Sequence, residues 1–212
     1  MDVLANCRIY PLSNFLKPKR NAINLEGLNI NNSNDITINN NESQSLHLIE
    51  HSFRKSKFKE QLVSNNFEHI IIIDIISIWQ DDKFNVINSI YTFNELINFL
   101  TKFNDSPLAT LSEYGISMDT VEGIMIDNLS YIGNLNNKSI VILIKILKLI
   151  QINFGCFILS TSYGLEYYEG IENFQRMKNL NLKYPTLLPM NYLLEMDTIL
   201  LRETGEISRR LK

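Results

Sequence analysis

Residues His69–Trp79 read HIIIIDIISIW, and no other stretch limits the fold as strongly. The run is rich in β-branched residues and lacks the alternating polar positions of a strand with one wet face. It therefore predicts a strand covered on both sides. Gly123–Leu129 (GIMIDNL) and Gly155–Thr161 (GCFILST) repeat that character, and Ser45–Glu50 (SLHLIE) is a shorter apolar strand. Helical patterns lie between them. Lys57–Ser64 carries a weak one, and Thr92–Phe103 sets Phe93, Leu96, Ile97 and Leu100 on one face. Lys138–Asn153 is an apolar cylinder with a narrow polar stripe of Lys145, Lys148 and Gln151, so it needs cover from the fold or from a subunit interface. Alternating buried strands and helices predict an α/β fold with a mostly parallel, helix-covered sheet. Asp197–Glu203 and Glu206–Leu211, flanking Thr204 and Gly205, predict an antiparallel C-terminal hairpin at one edge.

At 212 residues, with 45% hydrophobic and 20% charged side chains, the chain suits one ordered α/β domain. An asparagine-dense tract, Asn29–Asn41, competes poorly for helix or sheet. The expected organisation is an arm over 1–28, an Asn-rich loop over 29–44 and a core domain over 45–212. The arm interleaves Arg8, Lys17, Lys19 and Arg20 with Tyr10, Leu12 and Phe15, a composition suited either to docking on a neighbouring subunit or to packing on its own core. The net charge of -3 and pI near 5.7 exclude a globally basic nucleic-acid binder, so any DNA contact must come from a local patch. Cys7 and Cys156, with His47, His51 and His69, show neither a disulfide framework nor metal-ligand spacing. The N-terminal MDVLANCRIY lacks the pattern of a secretory signal, and Ile140–Ile152 is too short to cross a bilayer. A soluble intracellular protein, without membrane attachment, is expected.

A nucleotide-hydrolysing α/β protein needs a glycine-rich turn after its first strand, a lysine for the terminal phosphates and a hydroxyl for magnesium. The corresponding stretch here is His51–Phe58, HSFRKSKF. His51 and Ser56 stand at the glycine positions, Lys57 survives as the lysine, and Phe58 replaces the hydroxyl. A Cβ at both glycine positions blocks close backbone approach, and phenylalanine cannot ligate a hard cation. Lys57, with Arg54, Lys55 and Lys59, is then read as part of a solvated basic turn. Asp127 ends the apolar strand GIMID. In an ATPase it would help hold magnesium; otherwise it caps the strand end through nearby backbone N–H groups. Asp74 reads as a hydrogen-bonded structural carboxylate. Glu166, Glu169 and Glu172 read as an exposed acidic face. No catalytic residues, metal ligands or cofactor are assigned.

Several long segments carry a family resemblance. In order they are RIYPLSNF (Arg8–Phe15), IIIDIISIW (Ile71–Trp79), GIMIDNLSYI (Gly123–Ile132), YYEGIEN (Tyr167–Asn173), YPTLLP (Tyr184–Pro189) and MDTILLRE (Met196–Glu203). Together they resemble the platinum-sensitivity (Psy) subunit family of the budding-yeast Shu complex. FGCFILSTS (Phe154–Ser162) is also similar to the late core strand of RecA-type recombinases. The resemblance implies a RecA-like core without a working ATP site, in a nuclear protein that is not an enzyme. It implies a heterodimer with a second RecA-like subunit, the chromosome-segregation-in-meiosis subunit. That pair joins other Shu subunits, works with the recombinase and its paralogues, and promotes filament assembly in homologous recombination and error-free tolerance of DNA damage.

In that family DNA contact comes from loops that include a basic cluster after the G-I-E-N motif. Here the following segment, FQRMKNLNLK, is shorter and lacks a consecutive basic triplet; its cations are Arg176, Lys178 and Lys183. Three phosphate contacts would give a salt slope of only about -2 to -3. Arg209, Arg210 and Lys212 offer a further phosphate contact or a frayed tail. Two other readings stay open: a cryptic nucleotide-binding ATPase using Lys57 and Asp127, and a protein-binding scaffold whose partner supplies all DNA contact.

Overall fold

The computed structural model describes residues 18–25, 42–50, 57–64, 69–80, 83–118, 120–132, 137–164, 184–201 and 206–209. The N-terminal elements are β1 (Ile23–Asn24), β2 (Glu42–Ser43), β3 (Ser45–Glu50) and α1 (Lys57–Ser64). Then come β4 (Ile70–Asp74), β5 (Asn85–Ile87), α2 (Phe93–Asp105), α3 (Pro107–Glu113) and β6 (Gly123–Asp127). A 3-10 turn at Leu129–Ile132 leads to α4 (Asn137–Phe154), β7 (Phe157–Tyr163), α5 (Met190–Leu193), β8 (Thr198–Leu201) and β9 (Glu206–Arg209).

The main sheet has seven strands in the order β5-β4-β6-β7-β3-β8-β9. Every pairing from β5 to β8 is parallel, whereas β9 runs antiparallel to β8. β1 and β2 form a separate antiparallel ribbon. The expected α/β fold with a mostly parallel, helix-covered sheet is observed, and its parallel core is RecA-like. Because β3 leads to β4 across β6 and β7, the crossover lifts α1 onto one face of the sheet.

Period-2 alternation divides the strands between two cores. Ile49, Ile73, Ile126 and Ile158 face α2 and α4, where they meet Leu96, Leu100, Leu143 and Ile150. Leu48, Ile72, Met125 and Leu159 face the other way, toward Leu62 and Val63 of α1 and Ile23 and Leu25 beside β1. Residues just ahead of the asparagine tract thus pack on the chain's own core.

Two element ends differ from expectation for local reasons. The apolar run from Ile70 leaves the sheet at Asp74, because the chain turns through Ser77 at a left-handed φ of 58°. That turn carries Trp79 back, and its backbone N–H donates to Asp74 Oδ2 at 2.7 Å. Thr92 proves to be the cap of α2 rather than its first turn. Its Oγ1 accepts from the Glu95 N–H at 3.3 Å, and Glu95 Oε2 accepts from the Thr92 N–H at 2.9 Å. α4 ends at Gly155, φ 69°, where a Cβ would lie 2.0 Å from the Lys19 carbonyl oxygen. Only glycine lets the N-terminal segment cross there, and Asn21 N–H donates to Gly155 O at 2.8 Å.

Candidate functional site: a lysine between acidic strand ends

In an open, mostly parallel sheet, ligands bind beyond the C-terminal ends of the strands. Alternation places Glu50 of β3, Asp74 of β4, Asp127 of β6 and Thr161 of β7 at those ends. All four lie on the α1 face, in phase with Leu48, Ile72, Met125 and Leu159. Three of these polar ends are carboxylates, all buried, which cannot stand together without a counter-charge.

The counter-charge is Lys59. It lies three and four positions before Leu62 and Val63, so the helical repeat turns it toward the sheet with them, and it is completely buried. Its Nζ lies 2.9 Å from Glu50 Oε2 and donates to Asp127 Oδ1 at 3.0 Å and Oδ2 at 3.1 Å. Burial alone would pull this ammonium down, but Asp127 and Glu50 outweigh it and hold Lys59 above the ordinary lysine range. The expectation that Lys59 belongs to a solvated basic turn is therefore corrected.

Asp127 is saturated. Besides Lys59, Trp79 Nε1–H donates to its Oδ2 at 2.6 Å, and the Thr161 hydroxyl donates to its Oδ1. Thr161 Oγ1 in turn accepts the Asn128 N–H at 2.8 Å, with Asn128 left-handed at φ 60° as the chain leaves the strand. Asp127 is thus held by side chains, not by the backbone strand-end cap expected from the sequence. Asp74 is buried beside this group and accepts from the Trp79 backbone, as expected of a structural carboxylate. Burial, and then the nearby Asp127 charge, raise its carboxyl above the usual range.

These residues do not fit a nucleotide and its metal. The carboxylates of Glu50 and Asp127 already contact an ammonium nitrogen, and the Trp79 indole N–H takes up Asp127 Oδ2 as well. Phe58, where a hydroxyl would be needed, puts its half-buried ring against the α1-face core. Among the described residues no cluster of His, Cys, Asp and Glu could hold a metal ion, and no helix is long and apolar enough to cross a membrane.

His51 and Ser56 lie outside the described residues, as do Arg176, Lys178, Lys183, Arg210 and Lys212. Lys57 is the first residue of α1, but its side chain also lies outside them. Glu50, Trp79 and Thr161 carry the site's geometry without having been singled out, and Lys59 was placed in solvent; its phasing with Leu62 and Val63 was the legible signal.

A second buried polar group occupies the opposite face. His47 Nδ1 and Nε2 lie 2.7 Å from Ser160 Oγ and 2.9 Å from Ser162 Oγ. The Tyr192 hydroxyl donates to Ser160 Oγ at 2.9 Å, and Thr186 Oγ1 donates to Ser162 Oγ at 2.8 Å. Burial pushes His47 down to about 3, so the imidazole is neutral at physiological pH. With both ring nitrogens engaged and the imidazole itself fully buried, the group joins β3, β7 and the segment around α5.

Comparison with known proteins agrees with the resemblance. A family model described as Shu complex component Psy3, DNA-binding description, matches residues 7–205. Platinum sensitivity protein 3 of Saccharomyces cerevisiae (strain ATCC 204508 / S288c) is 35% identical over 231 residues, covering 96% of this chain and 93% of that protein. Among solved structures, the cytoplasmic domain of the Thermomonospora curvata Type VII secretion ATPase EccC matches 64% of this chain and 18% of its own, with 10% identity and a TM-score of 0.34. So loose a superposition adds nothing to the strand order already described. A near-full-length family match and a relative alike over almost all of both chains lead to one assignment: the chain belongs to the Psy3 family of Shu complex components.

Proposed function

We propose that this chain is a non-enzymatic, DNA-binding assembly subunit. It works in the nucleus as a heterodimer with a second RecA-like subunit, the chromosome-segregation-in-meiosis subunit of its complex. That pair joins other Shu subunits and promotes recombinase filament assembly in homologous recombination and error-free damage tolerance. The observation that carries the non-enzymatic reading is the Lys59 ammonium between Glu50 and Asp127. It supplies internally the positive charge that a nucleotide's metal ion would bring to acidic strand ends. Family membership supports DNA binding and complex formation; the basic residues Arg176, Lys178 and Lys183 are the proposed phosphate contacts.

Calorimetry with ATP and magnesium on the purified complex tests the first part. No binding heat is expected, whereas micromolar binding abolished by Lys57→Ala would establish the cryptic ATPase instead. Changing Arg176, Lys178 and Lys183 together to alanine tests the second. DNA affinity at low salt should fall at least tenfold; unchanged affinity would assign the DNA contacts to the partner.

A further inference from the structure

α4 covers the sheet with Ile140, Leu143, Ile146, Leu147 and Ile150, and its opposite face is only partly explained by the fold. Val141, Ile142, Leu149 and Ile152 remain 43%, 49%, 46% and 66% exposed. With Lys138, Lys145 and Lys148 they fall at 138, 141, 142, 145, 148, 149 and 152, a three-four spacing repeated over two heptads. That is the spacing by which one helix seats along another, and over about 14 residues it gives a track of about 21 Å.

The charges restrict the occupant. α4 contains three lysines and no acidic residue. Lys148 is bonded to Glu195 beyond α5 at 2.6 Å, while Lys138 and Lys145 have no ion-pair partner among the described residues. A second copy seated by the same face would meet lysines with no carboxylate to match them. A nucleic-acid backbone would answer the lysines but leave the interleaved aliphatic side chains without an apolar partner. We propose that this face of α4 receives an amphipathic helix of another subunit, with aliphatic residues along its seam and carboxylates flanking it opposite Lys138 and Lys145.

The test uses the full chain co-expressed with the remaining subunits of its own Shu complex, with a photo-crosslinking benzoylphenylalanine at Leu149. Cross-links should concentrate on a helical segment of another subunit that carries carboxylates beside aliphatic residues. Cross-links to a second copy of this chain or to DNA, or none to another subunit, would overturn the proposal. In the same complex, Ile142→Asp and Lys145→Glu should each weaken subunit association at least tenfold, with Lys145→Arg close to the parent. Positions 142 and 145 are exposed, so far-UV circular dichroism and melting of the variants should match the parent. Undiminished association by well-folded Ile142→Asp and Lys145→Glu would equally refute it.

Discussion

Lys59 shows how a charged side chain becomes part of a core. Its position in the helical repeat of α1 leaves it no route to solvent, and two carboxylates at fixed strand ends receive it. Desolvating three charges is costly, so the group contributes little net stability beyond what an apolar filling of the same shape would give. Removing one member is different, because Glu50 and Asp127 would be left facing each other without a cation. Lys59→Met is therefore expected to destabilise the chain by about 3–5 kcal/mol in urea unfolding. Adding Glu50→Gln and Asp127→Asn to it should recover much of that loss, a non-additivity read directly from the three midpoints. The burial of Lys59 was legible from its spacing to Leu62 and Val63, but the habit of placing lysines in water hides it. Its partners were not legible, because Glu50 and Asp127 meet only after β7 has been inserted between their strands.

Elements show a similar division. The boundaries of β3 and α1 follow from local apolar pattern, and the inner face of α4 from its period. β5 and α3 escaped notice: β5 is 3 residues long, too short for an alternation to declare itself, and α3 is a 7-residue helix begun by Pro107 straight after α2. The end of α4 depends on tertiary contact as much as on its own sequence. Gly155 and Gly115 both have left-handed backbone, at φ 69° and 71°, yet a Cβ at Gly115 would meet nothing within 4 Å. Gly115→Ala should thus cost about 1 kcal/mol, the conformational penalty alone. Gly155→Ala should cost at least about 2 kcal/mol in the same denaturation assay, because the Lys19–Asn21 segment must also be displaced.

On the scale of the whole molecule, the two polar groups occupy opposite faces of one sheet, and the His47 group makes folding sensitive to acid. The folded state holds the imidazole near 3, far below its ordinary value of 6.5, so the unfolded chain takes up a proton first. The contribution is fully present above pH 6.5 and is lost progressively as the pH falls toward 3, at about 1.4 kcal/mol per pH unit. Asp74, whose carboxyl is raised, acts in the opposite direction in the lower part of that window. The difference between parent and His47→Asn isolates the imidazole: the parent's urea midpoint should fall more steeply between pH 6 and pH 4.5 (about 2 kcal/mol over that interval). Equal slopes would show that His47 does not hold its folded proton so weakly. None of this pairing could be read in advance, since His47 and Ser160 become neighbours only through the parallel register of β3 and β7.

An ammonium carried on the polypeptide has a further consequence. A diffusible cofactor fills its cradle according to its concentration and leaves when it is spent, whereas Lys59 is present in every folded copy at unit stoichiometry. The strand ends of β3 and β6 are therefore joined by a charge whose presence does not vary with any ligand's concentration.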